Sequence, residues 1–346
     1  MSAPTRRLVI DLASPRAAWR IPQERVAEIT AAMGTGWEVT QIGTPAVSDG
    51  DGAYGSGSPE SIAAARGAEV YFGYGVPRGV ADAGRGTLRW AHTGTAGVGG
   101  SLAHVIAAGV VLTNSAGVHA EPMADWVIAA IGYFARGLDR MLLAQREQRW
   151  AKEEFTDRQA MPEFRDLRVG ILGLGGIGLA VARRAAALGM SVAGVRRHPA
   201  RGGAPGIRWV GGLADLPRLA SESDVLVIAA PHTGETGGAV GREVLQRLPR
   251  QGIVINVSRG SLLDEAALLE LLNAGMLAGA ALDVFSTEPL PPGHRLWSHA
   301  RVLVSPHVSA VTSRFWERET ALIVDNIRRY LAGAPLTNVV DLEAGY

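Results

Sequence analysis

Cysteine is absent from all 346 residues. The chain therefore has no disulfide, no thiolate metal site and no cysteine nucleophile, a composition that suits a reducing compartment. Lysine is nearly absent too: Lys152 alone stands among 34 basic residues, an arginine bias that reflects base composition and indicates no ligand. No excess of charge is present, with 34 basic against 33 acidic side chains and a net charge of +1. Neither nucleic acid nor an anionic membrane is then an expected partner. Long apolar runs are missing as well. The stretch from Trp126 to Ala135 falls far short of the roughly 20 residues that cross a bilayer. The start, MSAPTRRLVIDL, passes from two arginines straight into a strand-like run, without the core of a signal peptide. The expectation is a cytoplasmic protein with a small-molecule ligand.

What is present is a globular composition, 47% apolar and 19% charged, in a chain long enough for two domains. Apolar runs at Leu8–Ile10, Val70–Phe72, Leu88–Trp90 and Val110–Leu112 alternate with helical stretches such as Pro22–Met33. This is the rhythm of a parallel sheet. A Gly/Ser-rich segment from Gly43 to Pro59 reads as a surface loop. Glu121–Arg149 reads as one long helix with apolar positions at Trp126, Ile131, Phe134 and Leu138, and Gln145–Asp166 as a linker or arm. A second alternation follows, with runs at Val169–Leu172, Ser191–Val195, Val225–Ala229, Ile253–Asn256, Ala278–Leu282 and Val302–Val304. Six such runs predict a second doubly wound sheet, and a last helix is expected over Ser313–Leu331.

Gly173, Gly175 and Gly178 form GLGGIG directly after one of these runs and open a helix whose apolar face is expected to include Ile177, Val181 and Leu188. In that setting the first glycine permits a tight turn, the second lets backbone approach a pyrophosphate, and the third allows close helix packing. An ordinary glycine-rich turn is the plain alternative, and the flanking strand and helix favour dinucleotide binding. An NAD site would carry an acid at the end of the next strand to bond the ribose 2′-hydroxyl. This chain has Arg196 and Arg197 there. Guanidinium groups can hold a 2′-phosphate, so NADP(H) is favoured over NAD(H).

Three segments follow later strands: NVSRG (Asn256–Gly260), DVFSTEP (Asp283–Pro289) and SPHVSA (Ser305–Ala310). They bring Arg259, Glu288 and His307 to the strand ends, where α/β sheets bind ligands. Each has a structural alternative: Arg259 could pair with Asp264, Glu288 could be an exposed loop carboxylate, and His307 could be a turn histidine. The remaining histidines weighed, at positions 92, 104, 119, 232, 294 and 299, have no metal-ligand spacing, so no metal is expected.

Together with PHTGET (Pro231–Thr236) and NSAGVHAEPMADW (Asn114–Trp126), this ordered set resembles the D-isomer-specific 2-hydroxyacid dehydrogenase family over essentially the whole chain. The resemblance implies that Arg259 binds the substrate carboxylate and keto oxygen, that His307 is the general acid and base, and that Glu288 orients His307. It implies that Gly176 and Ile177 face the pyrophosphate, Pro231 and Thr236 the adenosine, Val257, Ser258 and Arg259 the nicotinamide ribose, and Asp283 and Ala310 the nicotinamide. It also places the loop Ala96, Gly97 and Val98 on the substrate carboxylate, a plain turn being the alternative, and favours a homodimer interface in the helical region 121–149 over packing of its apolar residues inside one subunit. The segment PLPPGHRLW, with Trp297, and the arginine pair look most similar to the glyoxylate/hydroxypyruvate reductase branch. The phosphoglycerate branch tends to carry an Arg-Ser pair where this chain reads Tyr71–Tyr74.

The expected fold is α/β, two doubly wound parallel-sheet domains: a flavodoxin-like substrate domain from 1–115 plus 309–346, and a Rossmann cofactor domain from 116–308. The active site is expected in the cleft between them. The reaction expected is reversible reduction of a small 2-oxo acid to the D-2-hydroxy acid. Two rivals are a nucleotide-sensing protein of corepressor type and a formate- or phosphite-type dehydrogenase on the same scaffold.

Overall fold

Runs such as Val225–Ile228 and Gly279–Leu282 are buried at every residue. They have no polar face to give to water, so they are stable only in a sheet covered on both sides. The chain builds two such sheets. The computed structural model describes residues 6–45, 48–49, 52–53, 56–156, 161–343 and 345. It separates into two compact units, Met1–His119 with Val311–Tyr346, and Ala120–Ala310. The seams thus fall at 119/120 and 310/311, not at 115/116 and 308/309.

In the first unit five parallel strands lie in the order Trp37–Gln41, Arg6–Asp11, Val70–Gly73, Trp90–Thr93, Val111–Asn114. This is the flavodoxin-like order. One face is closed by the helix Gln23–Met33 and by Phe315–Leu331, a helix from the far end of the chain. Phe315, Ile323 and Ile327 share a core with Leu8, Ile10, Phe72 and Trp90.

In the second unit seven parallel strands run Ile207–Gly211, Ser191–Val195, Arg168–Leu172, Val225–Ile228, Ile253–Asn256, Gly279–Leu282, Val302–Val304. The order reverses direction between Arg168–Leu172 and Val225–Ile228. That reversal opens a crevice at the carboxyl ends of the strands, the ligand position of this architecture.

Two edge strands, Trp37–Gln41 and Ile207–Gly211, are absent from the sequence expectation. Both are largely half-exposed and carry polar residues, so neither shows an apolar run. The expected helix over 121–149 is two helices, Ala120–Ala135 and Leu138–Arg146. Gly137, with φ 65°, breaks it, because a left-handed residue cannot continue a right-handed helix. Leu188, expected on the apolar face of its helix, is 42% exposed just past the last turn. Part of the expected arm is ordered as the helix Lys152–Thr156 and the turn Phe164–Asp166, while 157–160 lie outside the described residues. Within the Gly/Ser-rich segment, Ser48–Asp49 pairs antiparallel with Gly52–Ala53; residues 46–47, 50–51 and 54–55 lie outside the described residues. No helix among the described residues is long and apolar enough to cross a membrane.

Candidate active site

The strand Arg168–Leu172 ends at the reversal point, and the glycine turn follows it. Gly173 has φ 98°, and a Cβ there would lie 2.5 Å from the Ala230 nitrogen. A Cβ on Gly178 would lie 1.9 Å from the Gly173 carbonyl, so only glycine lets the helix Gly176–Ala187 start this close to the strand. Gly175 differs: a Cβ there would meet no protein atom within 4 Å. Gly175 and Gly176 are exposed, Ile177 is half-buried, and no side chain caps the helix. The helix therefore opens with accessible N–H groups, a geometry that fits a pyrophosphate. A dinucleotide would be held here by Gly173–Gly178.

Arg196 and Arg197 directly follow the strand Ser191–Val195. Arg196 Nη1 donates to the Gly202 carbonyl at 2.8 Å, and Arg197 Nε lies 3.9 Å from Glu235. The loop after Val225–Ile228 is closed by Thr236, whose hydroxyl donates to the Pro231 carbonyl at 2.6 Å. The Ser258 hydroxyl donates to the Ala230 carbonyl, and Val257 is buried in the core, so these two would reach a ligand through their backbone.

Arg259, Glu288 and His307 leave the carboxyl ends of three neighbouring strands. Asn256 shapes the first turn, accepting from Ser258 N and donating from Nδ2 to the Arg259 carbonyl, each at 3.0 Å. Arg259 Nη1 donates to the Ser258 carbonyl at 2.7 Å. Gly260 lets this turn press on the next one, since a Cβ there would overlap Phe285 at 1.9 Å. Asn256 and Gly260 were not among the expected site residues; a polar residue closing an apolar strand was the available signal for Asn256. Asp264, the alternative partner for Arg259, instead caps the helix Glu265–Asn273 by accepting from Ala267 N at 2.9 Å.

His307 Nδ1 lies 2.7 Å from Glu288 Oε2, with 38% and 33% of the side chains exposed, so the pair remains reachable. Glu288 Oε1 accepts from Phe285 N at 2.8 Å. The Glu288 hydrogen bond, working against burial, holds His307 above the ordinary imidazole pKa. Burial acts to raise Glu288, but its bonds to His307 and Phe285 and the charges of His307 and Arg259 outweigh it, leaving the carboxyl below its usual range. Both shifts favour an imidazolium–carboxylate pair. Asp283, fully buried, accepts from the Ser305 hydroxyl at 2.6 Å, Val308 N at 2.9 Å and Ser309 N at 3.0 Å, while its carbonyl accepts from His307 N. Ala310 follows this turn, half-buried.

In the first unit the loop after Trp90–Thr93 has an unusual polarity. The carbonyls of Thr95, Ala96, Gly97 and Val98 each accept a hydrogen bond, from Ser115 N, Asn114 Nδ2, the Thr95 hydroxyl and Ser101 N respectively. The N–H groups of Ala96, Gly97 and Val98 donate to none of the described residues. Such a run of open donors is suited to an anion. No cluster of three or more potential metal ligands occurs among the described residues.

The model for the NAD-binding domain of the D-isomer-specific 2-hydroxyacid dehydrogenases matches residues 128–309, more than half of the chain. The chain belongs to this family. As a D-2-hydroxyacid dehydrogenase it is an oxidoreductase that uses a nicotinamide nucleotide, in keeping with the glycine turn. Among curated relatives, glyoxylate/hydroxypyruvate reductase A of Yersinia enterocolitica is 34% identical over 227 residues, 65% of this chain and 68% of that protein. Hydroxyphenylpyruvate reductase of Plectranthus scutellarioides is 36% identical over 232 residues, 67% of this chain and 71% of that one. Among solved structures, a D-isomer-specific 2-hydroxyacid dehydrogenase of Xanthobacter autotrophicus in complex with NADPH and MES is similar at TM-score 0.78 and 31% identity, covering 99% of this chain and 100% of that one. An NADPH-dependent glyoxylate/hydroxypyruvate reductase of Sinorhizobium meliloti, with NADP and sulfate, is similar at TM-score 0.75 and 28% identity, covering 99% and 100%.

Proposed function

We propose that this dehydrogenase reduces a small 2-oxo acid of the glyoxylate or hydroxypyruvate kind to the D-2-hydroxy acid, reversibly, with NADP(H) favoured over NAD(H). The observation that carries the reading is the His307–Glu288 pair at 2.7 Å beside the Arg259 charge, at the carboxyl ends of neighbouring strands. When bound, the reduced nicotinamide supplies the hydride. Arg259, permanently charged, polarises the keto oxygen and binds the carboxylate. His307, kept protonated by Glu288, gives its proton to the oxygen that gains charge and takes it back in the oxidation. The donors of Ala96, Gly97 and Val98 serve the substrate carboxylate, Gly173–Gly178 the pyrophosphate, and Arg196 and Arg197 the 2′-phosphate. Pro231, Thr236, Val257, Ser258 and Ala310 complete the cofactor contacts. The names of the reductase relatives support the substrate class.

The test is loss of the reduced-nicotinamide absorbance with glyoxylate, hydroxypyruvate, pyruvate and bulkier 2-oxo acids, for the native chain and His307→Ala. The native chain should turn over a small member of the panel. His307→Ala should lose about 100-fold or more in kcat, the size of a general-acid contribution, while binding NADPH normally. Equal activity in the variant would remove His307 from the mechanism. Silence of the native chain on every 2-oxo acid, with NADPH bound, would favour a sensing role or another donor.

We also propose a homodimer. Met123, Val127, Ile131 and Phe134 are spent in the core of their own unit, which supports assigning the interface to the second helix and its extension. There Leu138, Met141, Leu142 and Leu143 are 39–44% exposed and Trp150 is 87% exposed.

A further inference from the structure

Behind the loop Thr95–Val98 lies a buried polar network that the chemistry above does not use. His92, on the strand Trp90–Thr93, and Glu319, in the helix Phe315–Leu331, are both fully buried, with His92 Nε2 2.9 Å from Glu319 Oε1. His92 Nδ1 is 2.9 Å from the Thr113 hydroxyl, which accepts from Trp90 Nε1 at 2.9 Å. The same Glu319 oxygen lies 2.9 Å from the Ser115 hydroxyl, which is also 2.8 Å from the Thr93 carbonyl. Ser115 N then donates to the Thr95 carbonyl at 3.1 Å, and its neighbour Asn114 donates to the Ala96 carbonyl at 2.9 Å. Polar contacts at the Ser115 side chain, together with the donors of Ser115 N and Asn114, thus connect the helix Phe315–Leu331 to the loop carbonyls.

A carboxylate in a core is a poor way to gain stability, because its desolvation usually outweighs what its partners return, and an apolar side chain fills such a space at lower cost. Glu319 Oε2 is buried without a hydrogen-bond partner, so the group's service rests on Oε1, toward His92 and Ser115. Both of those residues flank the loop: His92 one residue before Thr93, and Ser115 at its backbone.

We propose that Glu319 is a positioning residue for substrate binding. Through Ser115 and His92 it fixes the turn in which the loop carbonyls are held and the N–H groups of Ala96, Gly97 and Val98 are left open to a carboxylate. This rests on the reading of that loop as a carboxylate site. A helix near the end of the chain then sets the affinity for the acid without touching it.

The experiment uses the full chain loaded with NADPH. Calorimetry gives the Kd of oxamate, a non-reacting 2-oxo acid mimic, and steady-state rates give KM and kcat for glyoxylate. In Ser115→Ala and Glu319→Gln, oxamate Kd and glyoxylate KM should rise about tenfold, the effect of a slightly misplaced binding group, with kcat within about twofold and NADPH affinity unchanged. Ser115→Thr should restore binding. The double variant should be little worse than either single one, since both act on the same link. Unchanged oxamate Kd in folded Ser115→Ala and Glu319→Gln overturns the proposal, even where Tm falls; if Glu319→Gln does not fold, Ser115→Ala decides. Gly97→Pro, which deletes a loop N–H, separates the two levels. If it also leaves oxamate binding intact, the carboxylate reading of the loop fails. If it alone weakens binding, only the positioning role fails.

Discussion

His307 adopts a left-handed backbone, φ 55°, which costs a residue with a Cβ on the order of 1 kcal/mol or more. Such a conformation persists only where its surroundings over-determine it. Here the buried Asp283 does so, gripping Ser305, Val308 and Ser309 with its carboxylate and His307 N with its carbonyl. The grip fixes the ring against Glu288, which in turn raises the imidazole pKa. On the proposed mechanism reduction uses the imidazolium, so activity should be full below that raised pKa and fall as pH climbs through it. Glu288→Gln weakens the hydrogen bond and removes the charge that together raise that pKa. Its alkaline limb in kcat/KM should therefore move to lower pH, with about a tenfold loss above the native limb for each pH unit moved and a smaller loss in mild acid. A pH profile of both proteins checks this, and an unmoved limb would disconnect Glu288 from the proton. That Arg259, Glu288 and His307 lie in segments beyond strand ends was legible in the sequence, because those strands are short apolar runs. The roles of Asn256, Gly260 and the Asp283 clamp were not, because they arise from backbone approach between segments far apart in the chain.

Among elements, the glycine turn separates two jobs that one motif performs. Gly178 is needed by the protein itself, whereas the space beside Gly175 is not filled by protein. Gly178→Ala should lower Tm by several degrees, as overpacking costs about 1–3 kcal/mol. Gly175→Ala should leave Tm within a degree or two and weaken NADPH at least tenfold. Thermal melts and nicotinamide fluorescence give both numbers; normal NADPH affinity in Gly175→Ala would sink the pyrophosphate reading. At the end of the neighbouring strand, Arg196→Asp with Arg197→Ser should move the NADPH/NADH preference in kcat/KM toward NADH by tenfold or more, as charge-assisted bonds to a phosphate are lost. An unchanged ratio would make these arginines surface residues only. Most interior strands were readable because burial on both faces writes a continuous apolar run; Trp90–Thr93, expected at Leu88–Trp90, lies further on because His92 and Thr93 are buried polar residues. The edge strands Trp37–Gln41 and Ile207–Gly211 were not, since half of each faces solvent, and the break at Gly137 was hidden inside an otherwise helical pattern.

For the molecule as a whole, the proposed dimer rests on the half-exposed Leu138, Met141, Leu142 and Leu143 and the exposed Trp150. Leu142→Glu should convert a dimer to monomer in sedimentation velocity, because a charge in an apolar interface is strongly unfavourable. A native chain that already sediments as a monomer would refute the dimer. The second unit is one continuous stretch, Ala120–Ala310, whereas the first is sewn from both ends of the chain. Phe315, Ile323 and Ile327 complete a core begun by Leu8 and Ile10. Synthesis from the N-terminus therefore delivers the first sheet before the second unit and the helix Phe315–Leu331 after it. Until Phe315–Leu331 has been made, its face of the first sheet is only partly covered, by Gln23–Met33, while the second unit already has every residue of its own core. The unit begun first is completed only after the second, and a chain cut short before Phe315 would carry the whole nucleotide-binding unit with a first unit that lacks part of its core.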